Sequence, residues 1–472
     1  MSKINLSEKH HKSYNYTVKR KVRETIMYRN VINDFVAWYE ENRRRILYIK
    51  GAAGVGKTWS VKDFSKAFFD KTIYIDTTKL PDFSHAISGI ISNSESDNSA
   101  DSCETDMEIS ERITAMDNLL NQHFGEIDFS KTILIYDEVQ NIPACAEFFY
   151  EYAKKHRHYS ICLIASSMEI TEFEFHHADV FNIIRMRPMS FEEYMLANKA
   201  HPFLAAIENH KNVPLAPLEE QAISLMLKDY LMIGGMPGIV QNFLKHKDYN
   251  EVRSMQLSQL ETYRQMIQSS ASSAMSQRMR RIWQSVPKQL THNNKKFMYR
   301  FVDANARSRE YADAVQHLCN LGLIRKLPRL LSSELPLEAH ADYNSFELFF
   351  LDHGLLRAVY GCPINEALTL QDIFAEESGA VAEQFVFEEL SSKMGYLYYW
   401  ISGATARVPF VYEGESGPIP VDIRFITNKK AQNIKTFRAK NPTTGISLRI
   451  SLNPVSLEDN VLNIPAYGLW NM

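Results

Sequence analysis

An α/β fold built on a parallel, doubly wound sheet is predicted for the first part of the chain, and three features of the sequence carry that prediction. Short apolar runs that suit buried strands recur at Ile46–Ile49, Ile73–Ile75, Thr132–Tyr136, Ser160–Ala165 and Phe181–Met186, separated by segments of helical periodicity. The first run opens directly into Gly51-Ala52-Ala53-Gly54-Val55-Gly56-Lys57-Thr58, a complete GxxxxGK[ST] octet. The third closes on the carboxylate pair Asp137-Glu138.

The octet is a phosphate loop, and its chemistry follows from its order. Glycines let backbone N–H groups curl around an anion, and the helix behind them points its positive end at the same place. Lys57 reaches β- and γ-phosphate oxygens, and the Thr58 hydroxyl suits Mg²⁺. Behind the loop, Val61, Phe64, Ala67 and Phe68 have helical spacing. A carboxylate at the end of a buried strand can hold Mg²⁺, and the next one can orient and deprotonate the attacking water; Asp137 is therefore the expected metal residue and Glu138 the expected base.

Composition sets limits. The chain has 472 residues, 45% of them hydrophobic, which gives room for about three domains with ordinary cores. A net charge of −3 says little about partners. No apolar stretch approaches a membrane span, and the polar N-terminal residues lack the core of a signal peptide, so a cytoplasmic location is expected. The five cysteines, Cys103, Cys145, Cys162, Cys319 and Cys362, are scattered and odd in number, which argues for a reducing compartment and against zinc.

The remaining elements come in order along the chain. Residues 21–41 read as a helix with Val22, Ile26, Val31, Ile32, Phe35, Val36 and Trp38 on its apolar side, placed to cover the adenine end of the site. Ser92 to Glu108 carries six carboxylates and no Lys or Arg, the composition of a solvated surface insertion. A helix from about Ala144 to His156 and the edge strand Phe181–Met186 complete the core, expected to span residues 1–190. From Ser190, an N-cap with Glu193 at the capping-box position, to residue 270 the pattern is helical and reads as a lid, with Gln221–Ile233 stopped at Gly234-Gly235. Residues 271–335 hold nine Lys or Arg between Arg278 and Arg309 against one acid, Asp303, then a helix with Tyr311, Ala314, Val315, Leu318 and Leu321 on one face and a β-like run Leu323–Leu327. Helices leading into a short wing suggest a winged-helix unit able to meet duplex DNA through Arg278, Arg280, Arg281, Lys295 and Lys296. Residues 336–472 read as a strand at Phe346–Asp352, a helix at Val381–Met394 carrying Glu383, and strands near Tyr396–Ile401, Val408–Tyr412 and Pro420–Ile426. That is the layout of a small nuclease-like α/β domain, with Glu383, Asp422 and Arg424 as fragments of a metal site.

Taken together, Gly51–Thr58, Asp137-Glu138-Val139-Gln140, Pro188-Met189-Ser190-Phe191, Gly234-Gly235-Met236-Pro237, Asp352-His353-Gly354-Leu355 and the tail Tyr399-Trp400…Ile419-Pro420-Val421-Asp422-Ile423-Arg424 resemble a bacterial and archaeal family of AAA+-type P-loop ATPases with a C-terminal domain of unknown function. The resemblance implies that a polar residue after the Ser160–Ala165 strand, Ser166 or Ser167, senses the γ-phosphate. It also implies a restriction-endonuclease-like fold at the C-terminus with metal-binding Asp and Lys positions. Here Pro409 stands at the Asp and Arg424 at the Lys, so loss of cleavage is expected. At the position of the family's Gly-Arg pair this chain has Asp179 and Val180, leaving Arg185 or Arg187 as substitutes.

The expectation is therefore an ATP-binding, Mg²⁺-dependent ATPase of slow turnover, with Lys57, Glu138 and Ser166 as catalytic residues and a protein or DNA partner. An ATP-binding switch without hydrolysis and an ATP-dependent nuclease in defence or mobile-element control are the alternatives.

Overall fold

The computed structural model describes residues 27–41, 43–79, 81–92, 106–209, 213–292, 294–304, 307–403, 406–425 and 432–472. The first half of the expected helix 21–41, with Val22 and Ile26, lies outside these residues, as do Cys103 and most of the acidic segment. The described helix is Val31–Glu41, burying Ile32, Phe35, Val36 and Trp38. The chain divides into two compact units, residues 1–186 and 187–472.

The first unit contains a five-stranded sheet: β1 (Ile46–Gly51), β2 (Lys71–Asp76), β3 (Thr132–Asp137), β4 (Ser160–Ala165) and β5 (Phe181–Met186). All pairings are parallel and the order is β2-β3-β4-β1-β5, with β5 at the edge as expected. Every residue of β1, β3 and β4 is buried, which is why these strands read as unbroken apolar runs rather than alternating ones. One face packs Tyr48, Ile75, Tyr136 and Leu163 against Ile87, Met116, Phe149 and Tyr152 from the helices Pro81–Ser92, Asp106–Phe124 and Cys145–Lys155. The strand order has a functional consequence. Because β4 lies between β1 and β3, the residues after three strands far apart in sequence meet at one carboxyl end, where ligands of such sheets bind.

The second unit joins helices to an eight-stranded mixed sheet of order β12-β13-β11-β10-β9-β8-β6-β7. Its strands are β6 (Ile324–Leu330), β7 (Ala341–Phe350), β8 (Leu397–Ser402), β9 (Ala406–Gly414), β10 (Gly417–Arg424), β11 (Ser447–Ser451), β12 (Ser456–Glu458) and β13 (Val461–Pro465). The expected wing strand is thus β6, built into this sheet between β7 and β8. The helix Ala380–Lys393 precedes the antiparallel strands β8, β9 and β10; the helix Gln432–Lys440 then leads to β11, which pairs parallel to β10. The expected limit at residue 190 falls four residues beyond the observed one, whereas those at 270 and 335 fall inside the second unit.

Side-chain contacts explain why residues 191–270 share a unit with the C-terminal sheet. Ser190 caps its helix with the expected capping box to Glu193. The helix Pro217–Ile233 runs into Gly234, at φ 83°, where a Cβ would come 2.4 Å from Asp352 Oδ1; only glycine fits both the backbone and the gap. Asp352 accepts from the Gly235 N–H at 2.7 Å and caps the next helix at Leu355 N. Tyr230 donates to the Met189 carbonyl at 2.7 Å, and the Phe191 N–H donates to Glu389 at 2.9 Å. Three short motifs of the sequence, at 188–191, 234–237 and 352–355, therefore form one buried junction.

Candidate active site

The phosphate loop leaves β1 at Gly51, where a Cβ would sit 2.6 Å from the Met186 carbonyl of β5. It enters the helix Lys57–Phe68 through Gly56, held at φ 92°, a left-handed conformation that suits glycine. The Val55 carbonyl accepts from Arg29 Nη1 at 2.7 Å, tying the loop to the segment before the first helix.

Lys57 folds back over its own loop. Its Nζ donates to the carbonyls of Gly51 at 3.0 Å and Ala52 at 2.9 Å, and lies 3.2 Å from Ser166 Oγ. Burial pushes its pKa down to about 8, against the opposing pull of Glu138 and Asp137. Thr58 Oγ1 donates to Asp137 Oδ2 at 2.6 Å. The same oxygen accepts from the Tyr74 hydroxyl at 2.8 Å, while Oδ1 accepts from the Glu138 N–H at 2.9 Å. The hydroxyl and carboxylate expected to hold Mg²⁺ are thus in direct contact, and as hard oxygen donors beside a phosphate loop they fit that ion.

Glu138 occupies the left-handed region at φ 61°, an uncommon conformation for a residue with a side chain and one that concentrates at functional sites. The Thr77 hydroxyl lies 3.0 Å from its carbonyl. Ser166 Oγ donates to Glu138 Oε1 at 2.9 Å, and Gln140 Nε2 donates to Oε2 at 2.7 Å. The Ser166 N–H donates to Gln140 Oε1 at 2.9 Å. Of the two serines offered by the sequence, Ser166 is the one in this network; Ser167 instead accepts from the Glu169 N–H at 3.2 Å in a local turn.

Every residue expected at the nucleotide site, from Gly51 to Thr58 with Asp137, Glu138 and Ser166, is therefore in one place. Tyr74, Thr77, Arg29 and Gln140 were not anticipated. Gln140 stands in the Asp137-Glu138-Val139-Gln140 run, so its place was visible although its contacts were not; Tyr74 looked like an ordinary strand residue. Arg185 is exposed on β5. Arg187 belongs to the second unit, where Nη1 donates to the Ser391 carbonyl.

The carboxylates expected at the nuclease-like site, Glu383 and Asp422, are spent on cations. Glu383 is clamped by Arg407 at 2.9 and 3.1 Å and by Lys295 at 3.0 Å; despite burial, these two neighbours hold its pKa down at about 2. Arg407 also grips Glu347 through Nε at 2.9 Å and Nη2 at 2.6 Å. Asp422 accepts from Arg424 Nε at 2.7 Å. Val421 pairs with Phe410 at the end of the β9–β10 ladder, and Pro409 and Asp422 are the residues next to that pair in sequence. Lys295 requires a correction: it was expected on a DNA-facing surface, but it is buried and paired with Glu383, whereas Arg280 and Arg281 are exposed.

Fold and site together define a P-loop NTPase domain of the AAA type, joined to a second unit with a mixed sheet. The comparisons agree: residues 43–195 match the family described as AAA domain, residues 225–366 the Domain of unknown function (DUF8612), and residues 378–467 the Domain of unknown function (DUF4143). No curated protein matches the chain. Similar solved structures include PCH-2 of C. elegans (15% identity, 49% of this chain and 61% of that one, TM-score 0.26). Drosophila ORC bound to DNA aligns at 11% identity over 76% of this chain and 94% of that one, TM-score 0.28. The Thermotoga maritima RuvB Holliday junction branch migration motor aligns at 12% identity over 67% and 90%, TM-score 0.27. Scores this low carry no statement about function.

Proposed function

We propose that this protein binds ATP with Mg²⁺, hydrolyses it slowly, and uses the nucleotide state as a switch acting on a protein or duplex-DNA partner in the cytoplasm. The observation that carries the reading is the continuous path from Lys57 Nζ through Ser166 Oγ to Glu138 Oε1, at 3.2 and 2.9 Å, beside the Thr58–Asp137 contact. Backbone N–H groups of 51–58 bind the phosphates, and Lys57 exchanges its carbonyl partners for β- and γ-phosphate oxygens. Thr58 and Asp137 would hold Mg²⁺, which when bound neutralises charge on those oxygens. Glu138 orients water for attack on the γ-phosphorus and accepts its proton, while the bond to the bridging oxygen breaks and ADP leaves. An arginine finger is worth about 10³–10⁵ in rate, and Asp179 and Val180 stand where one is expected, so turnover without a partner is slow.

Exposed Arg280 and Arg281 support a phosphate-contacting surface within the 271–335 winged-helix-like segment. In residues 336–472, Pro409 and the cation-paired Glu383 and Asp422 support a docking role on a nuclease-like fold rather than cleavage. Phosphate release by wild type and Glu138→Gln tests the central reading. The amide keeps the shape and loses the base, so the variant should bind ATP as wild type does and release phosphate about 10²–10⁴ times more slowly. Equal turnover would remove Glu138 from the chemistry.

A further inference from the structure

The network at the Glu138 carboxylate contains a side chain to which the proposed hydrolysis gives no role. Gln140 touches neither the phosphate loop nor the Thr58–Asp137 pair, yet it makes two directed contacts, accepting from the Ser166 N–H at 2.9 Å and donating to Glu138 Oε2 at 2.7 Å. The orientation of its amide is fixed by chemistry. A backbone N–H can only donate, so the amide atom facing Ser166 is the oxygen, and the NH₂ must then face the carboxylate. Ser166 Oγ lies between Lys57 Nζ and Glu138 Oε1; because the ammonium only donates, the hydroxyl proton points at Glu138. Both oxygens of Glu138 are thereby fixed, one by a residue that faces the nucleotide and the other by a residue that does not.

We infer that Gln140 is a positioning residue for the catalytic base: it holds Glu138 aimed, and links it to the backbone of Ser166 at the end of β4. This rests on the ATPase reading. When Lys57 turns to phosphate, the Ser166 hydroxyl is free to turn to the γ-phosphate, and Oε1 of Glu138 is released toward water. Gln140 keeps its grip on Oε2 throughout, so the base gains freedom at one oxygen without losing its direction. Glu138 needs this support because its backbone is at φ 61° and its side chain is not enclosed.

Two variants test this. Gln140→Leu removes both contacts; misplacing a reacting group can cost about 10²-fold, so kcat should fall by about 10- to 100-fold with KM for ATP near wild type. Loss confined to kcat, with KM and the thermal stabilisation by Mg-ATP unchanged, is a split that general loosening of the fold would not give. Gln140→Glu keeps an acceptor for the Ser166 N–H but loses the donor to Glu138 and sets a second carboxylate beside it, so its kcat should also fall with KM near wild type. Melting curves establish that each variant is folded, and Gln140→Glu carries the test if Gln140→Leu is not. Absence of hydrolysis in wild type, or turnover that survives Glu138→Gln, overturns the ATPase reading and this inference with it. Hydrolysis that needs Glu138 but keeps the same kcat in the Gln140 variants overturns this inference alone.

Discussion

His353 lies wholly inside the second unit with Nδ1 2.7 Å from Glu388 Oε2. Its other ring nitrogen is 3.1 Å from the Tyr230 carbonyl. Both neighbours are acceptors, so both nitrogens carry protons and the ring is a buried imidazolium. Burial alone would lower its pKa, but Glu388 first, and Asp352 after it, raise it to about 9. Gln384 Nε2 donates to the second oxygen of Glu388 at 2.7 Å, completing the pair.

The pH dependence of stability is set by the signs of these shifts. A histidine raised from 6.5 to about 9 contributes stability that is complete below pH 6.5 and is lost as pH rises through 9. Glu389, pushed by burial from 4.5 up to about 7, acts in the same direction, since its folded form holds a proton that the unfolded chain has released. The melting temperature of the second unit should therefore fall steadily between about pH 4.5 and 9, through Glu389 up to about 7 and through His353 from 6.5 to about 9. His353→Gln should flatten the upper part of that slope and lower stability overall, because breaking a buried pair costs about 3–5 kcal/mol. A slope unchanged in His353→Gln would remove His353 as its source.

Lys57 should titrate on binding nucleotide. Its free-state pKa of about 8 reflects burial, and contact with phosphate restores the charged form. Calorimetry with Mg-ATP at about pH 8.5, in buffers of different ionisation enthalpy, should show net proton uptake by wild type and none by Lys57→Ala. The same variant should lose the thermal stabilisation by Mg-ATP, which for ligand at 100 times Kd is about 2.7 kcal/mol in wild type. Equal shifts in the two proteins would place the nucleotide elsewhere.

Duplex DNA should bind weakly and with little sequence preference, and affinity should drop steeply between about 50 and 200 mM salt in the manner of about six or more phosphate contacts. Arg280→Glu with Arg281→Glu should abolish binding. Arg281 is paired with Asp303 at 2.7 Å, so Arg280→Glu alone should carry much of the loss. Lys295→Met should instead destabilise the second unit by stripping a cation from Glu383. Binding that survives the double arginine change at about 200 mM salt would exclude the basic segment.

Cleavage of DNA with Mg²⁺ or Mn²⁺ should be absent. A metal-assisted nuclease needs free carboxylates around an ion, and here Arg407 and Lys295 occupy Glu383 while Arg424 occupies Asp422. An arginine cannot serve as a base at any accessible pH. Cutting by wild type that vanishes in Asp422→Ala but persists in Lys57→Ala would show that this domain does retain its chemistry.

Much of the nucleotide site was legible because its information is local. A glycine-rich octet must bend where its glycines permit left-handed backbone, a lysine and threonine come at fixed spacing, and a buried strand ending in Asp137-Glu138 announces itself by apolar residues meeting charge. The capping box at Ser190 and Glu193 and the glycine stop at Gly234 were readable for the same reason, since each involves residues within one turn of chain. The segment limits at 270 and 335 rest on changes of composition, and both positions lie within the second compact unit. Likewise the number of basic residues from Arg278 to Arg309 said nothing of which face solvent.

The local text alone therefore determined that this chain carries a P-loop on a parallel sheet, together with Gly51 to Thr58, Asp137 and Glu138. Tertiary structure alone decided which of two serines meets Glu138, that Gln140 turns its amide nitrogen toward that carboxylate, that Lys295 is buried against Glu383, and that residues 188–191, 234–237 and 352–355 form one junction. Backbone conformation and strand burial depend on neighbours a few residues away, so the order of amino acids reports them directly. Strand order β2-β3-β4-β1-β5 and the pairing of charges depend on residues far apart in the chain, which only packing brings within a hydrogen bond's reach.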